Sequence, residues 1–280
     1  MTSAVLTERR HGGGTVVLTI NRPERRNALD SQTCADLHAI LDGLDGEPEV
    51  RVVVITGSGV AFSAGADLKA TPDDFSNTTA TPTAALLGGV ASEVARTLAA
   101  QELMASLFEK IHRLRQPVIA AINGAALGGG FALALACDIR LATADATFGA
   151  IFIRHGVSAC DMGTSYHLPR LVGASRSAEL MLTGRVFDAH EAAQIGLLHA
   201  IVDPADLLET ALAKAGEIAA HAPLAVWMTK ETLWQNVDAP SLRHALDLEN
   251  RTQVMCTATG DLRDSFAAFR TNDTARWNPL

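Results

Sequence analysis

The chain has 280 residues, of which 48% are hydrophobic and 19% charged. That is enough apolar material for a sizeable core and excludes wholesale disorder. The net charge of −8 argues against a protein whose main task is gripping nucleic acid, which would show a basic excess.

Residues 15–21 (TVVLTIN) are β-rich and follow a glycine turn at 12–14, with residues 5–8 as a hairpin partner. Residues 28–44 carry apolar side chains at helical spacing, with Asp30 and Ser31 as candidate caps. Residues 50–56 form a nearly continuous β-branched run, the pattern of a strand buried on both faces in a parallel sheet. Residues 57–84 read as loop and 86–115 as a long helix. Then come a buried strand over 117–123, a helix over 131–137 and a strand over 138–142. This alternation predicts a layered α/β domain. Beyond Ser175 helices dominate: 188–195, 206–221, 223–236 and 241–259, with a short strand over 198–202 and a mixed stretch over 262–277. The predicted division is an α/β core over 1–200 and a helical region over 201–280.

Residues 116–137 carry no charge, but Pro117, Asn123-Gly124 and Gly128-Gly129-Gly130 break them into strand, turn and helix, so no membrane span is expected. Cys34, Cys137, Cys160 and Cys256 form no CxxC pair. A reducing, cytoplasmic setting without a zinc ribbon follows as an expectation.

P-loop, HExxH and GxSxG motifs are absent from the sequence, and the nine histidines lack ligand spacing. Residues 57–62 (GSGVAF) nearly match GxGxxG, but Phe62 replaces the third glycine and no helix pattern follows. Two features remain. Residues 123–130 (NGAALGGG) sit between a buried strand and a helix. Backbone N–H groups there approach a ligand, or else the glycines serve a tight turn and close helix packing. Residues 62–69 (FSAGADLK) follow the 50–56 strand, as a ligand loop or as a lead into a short helix. Each loop follows a strand end, where α/β sheets bind ligands. One N–H from each, aimed at one oxygen, makes an oxyanion hole.

At these loops the sequence resembles the enoyl-CoA hydratase/isomerase (crotonase) family. Asn21-Arg22-Pro23 with Asn27-Ala28-Leu29, the 62–69 segment, PVIAAINGAALGGGFALALACD over 117–138, LMLTG over 180–184 and AAQIGL over 192–197 carry the likeness, which runs from about residue 15 to 270. The resemblance implies a ββα spiral with a helical C-terminal trimerisation region, assembled as a homotrimer or dimer of trimers. It implies an acyl-CoA thioester as substrate and no metal or redox cofactor. It places the oxyanion donors at the backbone N–H groups of Ala66 and Gly129. Segments around Arg26 and Ala28, and from Ala64 through Asp67 to Leu68, would line the coenzyme A.

The sequence also departs from the family. Its hydratases use two glutamates, one in a GGGxE pattern and one a few residues after a later FG. Here Ala132 and Phe152 occupy those places, and neither side chain can transfer a proton. Asp161, in CDMG, falls where dienoyl-CoA isomerases and dihydroxynaphthoyl-CoA synthases carry a functional aspartate. It is either an acid/base or a cap for a helix beginning near Gly163. Arg154, His155, Tyr166 and His167 are secondary candidates, with surface or packing roles as the alternative. At the C-terminus Asn272-Asp273 replace the basic residues expected near coenzyme A phosphates. Three functions stay open: an isomerase-like or other non-hydratase acyl-CoA enzyme using Asp161, a hydratase working by another route, and a non-catalytic acyl-CoA binder.

Overall fold

The computed structural model describes residues 3–67 and 92–280. A six-stranded sheet forms its spine. β1 (Val5–Arg10) pairs antiparallel with β2 (Thr15–Ile20), and β3 (Val52–Gly57), β5 (Val118–Ile122), β7 (Ile139–Thr143) and β10 (Ala200–Val202) follow in parallel. A smaller sheet holds β4 (Ala61–Ser63), β6 (Ala125–Leu127), β8 (Thr147–Gly149) and β9 (Phe187–Asp188).

The chain alternates between the two sheets. After each long strand of the first, β3, β5 and β7, a sharp turn delivers the short strand β4, β6 or β8 of the second. A helix or helical segment then returns it: α2 (Glu93–Arg113), α3 (Gly129–Ala136), and α4 (Thr164–Val172) with α5 (Ala174–Thr183). This is the expected α/β spiral. Its turns admit no side chain: a Cβ on Gly57 would stand 2.2 Å from the Ala61 carbonyl oxygen, and one on Gly124 2.2 Å from that of Val60. Asn123 ties successive turns, donating from Nδ2 to the Gly59 carbonyl at 2.9 Å and accepting from the Gly57 N–H at 3.2 Å.

The apolar runs of β2, β3 and β5 are explained by two cores. Val16, Leu18, Val53, Ile55, Val118 and Ala120 face one, which also takes α3. The alternate residues Val17, Val52, Val54, Ile119 and Ala121 face the other, closed by Leu207, Ala211, Leu212 and Ala215 of α7 (Leu207–Ala219). The period-two alternation of a strand therefore divides one hydrophobic run between two layers. The predicted 200/201 division falls inside β10, and α7 packs on the core sheet.

Residues 28–44 contain α1 (Ser31–Asp45), started by Asp30, whose side chain accepts from the Thr33 N–H at 2.8 Å. Near the C-terminus lie α6 (Ala189–Gln194), α8 (Pro223–Val237), α9 (Leu242–Ala258) and α10 (Asp261–Thr271). The predicted mixed stretch over 262–277 is thus largely helix. An ion pair pins α8 to the core: Lys230 Nζ lies 2.8 Å from Asp138 Oδ2 and donates to the Gln116 carbonyl at 3.0 Å. Trp234 Nε1 donates to Asp138 Oδ1 at 2.8 Å. By contrast α9 buries no side chain, and Leu242, Val254, Phe266 and Phe269 of α9 and α10 are exposed. Among the described residues no helix is long and apolar enough to cross a membrane. All four cysteines are free thiols.

Candidate active site

The loop after β4 is held by Asn27, whose amide is buried. Its Nδ2 donates to the carbonyls of Ser58 and Ala61, at 2.8 and 2.6 Å, and its Oδ1 accepts from the Arg22 N–H at 3.0 Å. Arg22 then pairs with Asp67 Oδ2 and Asp30 Oδ2, each at 2.9 Å. Its guanidinium also donates to the Ala28 carbonyl at 2.5 Å. A cation fixed between two carboxylates ties the start of α1 to the loop that follows β4.

This framework sets the direction of one peptide. Leu29 N–H donates to the Gly65 carbonyl at 2.7 Å, and Asp67 N–H donates to the Leu29 carbonyl at 3.0 Å. In such a parallel bridge the intervening residue, Ala66, turns its own N–H to the opposite side. Ala66 is exposed although its neighbours Gly65 and Asp67 are buried. Gly65 must be glycine: φ is +89°, and a Cβ would stand 2.8 Å from the Gly129 nitrogen and 2.6 Å from the Leu127 carbonyl oxygen.

The second loop comes from the other side. Gly128 has φ 52° and ψ −119°, a conformation open to glycine. Gly130 packs so tightly on β4 that a Cβ would stand 2.1 Å from the Ser63 carbonyl oxygen. Between them Gly129 is the first residue of α3, so its N–H has no intrahelical acceptor and points out of the positive end of the helix. The Cβ position of Gly129 lies 3.6 Å from the Ala66 nitrogen. Ala66 and Gly129 thus come together, and neither N–H donates to a carbonyl among the described residues. Two neighbouring, unspent donors can share one negatively charged oxygen.

Phe152 and Ala132 lie beside this pair, and both belong to the hydrophobic core. The Phe152 ring comes 3.9 Å from the Cβ position of Gly128. Ala132 is fully buried one turn into α3, donating its N–H to the Gly128 carbonyl at 3.0 Å. Asp161 approaches through its neighbour Met162, whose Sδ lies 3.3 Å from the Cβ position of Gly129. Asp161 Oδ1 accepts from Gln101 Nε2 at 2.5 Å and from the Met162 N–H at 2.7 Å. Burial pushes this carboxyl above its ordinary value, while the two hydrogen bonds pull the other way. The carboxylate does not cap α4. The cap position is Gly163, with no side-chain cap, and Thr164 N–H takes the Asp161 main-chain carbonyl instead.

Among the other predicted residues, Ala28 is buried and Ala64 half-buried, its N–H donating to the Arg26 carbonyl at 2.9 Å. Arg26 is exposed in the left-handed region at φ 51°. Asp67 is buried and pairs with Arg22. Leu68 lies outside the described residues. Arg154, His155 and Cys160 are exposed. Tyr166 and His167 face elsewhere: with His112 and Trp234 they form an aromatic cluster under α8, with His112 4.8 Å from His167 and 4.6 Å from Trp234, centroid to centroid. A cavity of about 720 Å³ lined by Ile139, Leu233, Trp234, Leu262 and Trp277 lies against this C-terminal region, away from the convergent N–H groups. The near-miss glycine motif at 57–62 turns from strand to strand, so it opens no dinucleotide-binding helix. Among the described residues no group of three His, Cys, Asp or Glu is placed to hold a metal ion.

Gln101 and the anchoring roles of Arg22 and Asn27 escape sequence reasoning. Arg22 and Asn27 stand in the recognised opening motif, but their partners come from distant loops.

Comparison with known proteins gives a family model, described as enoyl-CoA hydratase/isomerase, matching residues 10–279. A probable enoyl-CoA hydratase of Mycobacterium bovis is 39% identical, covering 90% of this chain and 85% of its own. The short-chain-enoyl-CoA hydratase of Clostridium acetobutylicum is 33% identical over 92% and 91%. Among solved structures, a probable enoyl-CoA hydratase/isomerase from Mycobacterium abscessus superposes with a TM-score of 0.86 at 36% identity, covering 98% of each chain.

Proposed function

Since this chain belongs to the enoyl-CoA hydratase/isomerase family, we propose that it binds an acyl-CoA thioester and stabilises its enolate between the N–H groups of Ala66 and Gly129. The observation that carries the reading is their convergence, with neither N–H donating to a carbonyl among the described residues and one at a helix N-terminus. Removing a proton next to a thioester carbonyl places charge on its oxygen. One fixed donor of this kind contributes about 2.7–4 kcal/mol to such a transition state.

The acid/base in this reading is Asp161, in isomerase-like or other non-hydratase proton transfer. Its neighbour Met162 packs at Gly129, and burial raises the carboxyl toward the range useful for moving protons near neutral pH. Ala132 and Phe152 supply apolar wall where the family's hydratases carry glutamates. Coenzyme A arrives with the substrate along Arg26, Ala28 and Ala64, and the chemistry draws only on groups of this chain. The exposed apolar side chains of α9 and α10 support self-association, which we assign to a homotrimer or a dimer of trimers.

A second reading, hydration of a 2-enoyl-CoA without the glutamate pair, is favoured by the names of the relatives. Asp161→Asn tests the first. It is expected to abolish exchange of acyl-chain protons with deuterated water while sparing thioester binding measured by calorimetry. Unchanged exchange would remove Asp161 from the mechanism.

A further inference from the structure

Asp161 is reached by one side chain from a distant part of the chain. Gln101 stands on α2, which Leu107, Phe108 and Ile111 bury into the core. Its neighbour Leu103 offers its carbonyl to His38 of α1 at 3.2 Å. The amide thus projects from a fixed element rather than a loop.

The two oxygens of Asp161 are not equivalent. Oδ1 receives both Gln101 Nε2 and the Met162 N–H, whereas Oδ2 has no hydrogen bond among the described residues. In the ionised carboxylate both oxygens can only accept, so each partner of Oδ1, the Met162 N–H and the Gln101 amide, must be a donor. That places the amide nitrogen of Gln101, not its oxygen, against Oδ1. An oxygen with two donors holds negative charge well and a proton poorly.

We propose that Gln101 is a positioning residue for Asp161: it reserves Oδ1 as the anchored oxygen and leaves Oδ2 as the atom that carries the proton. The inference rests on the reading of Asp161 as acid/base. In the step it serves, Oδ2 takes a proton from a carbon of the acyl chain. The C–H electron pair enters the conjugated thioester, and the charge reaches the carbonyl oxygen between Ala66 and Gly129. Return of a proton from Oδ2 to another carbon completes an isomerisation without net gain or loss, and exchange of the Oδ2 proton with solvent before its return carries deuterium into the acyl chain. Among the described residues no ionised side chain bears on this carboxyl, and the influences on it there are burial, the Met162 N–H and the Gln101 amide. Removing the amide therefore has a definite sign. It withdraws a donor from the ionised form and moves the acid limb of the pH–rate profile upward.

The test compares Q101L, Q101E and D161N in deuterated water, following acyl-CoA proton exchange by NMR from pH 4.5 to 8 and thioester binding by calorimetry. Gln101 is exposed, so Q101L is expected to keep the wild-type urea midpoint and a Kd within about twofold. Its acid limb should move up by about one pH unit, the size of one hydrogen bond to a charged group. Q101E, which adds a like charge, should move it further. A wild-type pH profile in Q101L with exchange lost in D161N would overturn the role of Gln101 alone. Undiminished exchange in D161N would overturn the reading of Asp161 on which it rests.

Discussion

Gly65→Ala is a sensitive perturbation of the two-loop arrangement. A Cβ at this position would stand 2.6 Å from the Leu127 carbonyl oxygen and 2.8 Å from the Gly129 nitrogen, with φ at +89°. Both neighbours are backbone, so neither can rotate away. The loop after β4 must instead move back from the start of α3, separating Ala66 from Gly129. A non-glycine residue held at such a φ costs about 1–3 kcal/mol, and overpacking adds a similar amount, about 1–3 kcal/mol. Misaligning one donor of the pair costs about 10²–10³ in rate. Proton exchange of an acyl-CoA in deuterated water reads the rate, and urea unfolding reads the stability. Gly43→Ala in α1 is the control. Its Cβ meets nothing within 4 Å and its φ is not positive, so it should stabilise by about 0.4–1 kcal/mol and leave exchange unchanged. Wild-type exchange and stability in Gly65→Ala would refute the argument that the two loops approach closely enough to act on one oxygen.

Two further outcomes concern the anchoring of α8. Burial, reinforced by the charge of His112, pushes His167 down to about 3, and His112 is lowered as well. Between pH 6.5 and about 3 the unfolded chain binds a proton that native His167 refuses. Its stability contribution is therefore complete above pH 6.5 and declines as pH falls through that window, by a few kcal/mol, ~1.4 for each pH unit. His167→Phe should flatten this part of the urea-midpoint profile between pH 7 and 5; a profile parallel to wild type would contradict it. Asp138→Ala should cost about 3–5 kcal/mol, because it strands the buried ammonium of Lys230. A urea midpoint within experimental error of wild type would show that the pair does not hold α8.

The strands β2, β3 and β5 were legible because each buries both faces, which leaves apolar runs such as 52–55 and 117–122 in the sequence. The cap of α1 was legible because Asp30 acts on a residue only three positions ahead. The second sheet was not. β4, β6, β8 and β9 are two or three residues long, too short to show alternation, and the glycine-rich segments around β4 and β6 read as loop. What makes them strands is pairing with segments far away in the chain. The two glycine loops were legible by motif, but their approach depends on Gly65 and Gly130 meeting backbone from the other loop. Arg22 is separated from Asp67 by 45 positions and Gln101 from Asp161 by 60. No local pattern marks such pairs. The capping alternative for Asp161 was reasonable from sequence, since a helix begins three residues later. It fails because a glycine in the left-handed region intervenes and the carboxylate turns to Met162 N–H and Gln101 instead.

The most direct test of the central claim, enolate stabilisation without a hydratase glutamate pair, follows α- and γ-proton exchange of acyl-CoA thioesters by NMR in deuterated water, with crotonyl-CoA hydration monitored in the same samples. The predicted result is exchange that depends on Asp161, without appreciable hydration. Hydration at a rate comparable to exchange would contradict the account and show that water is activated by a group other than the absent glutamates.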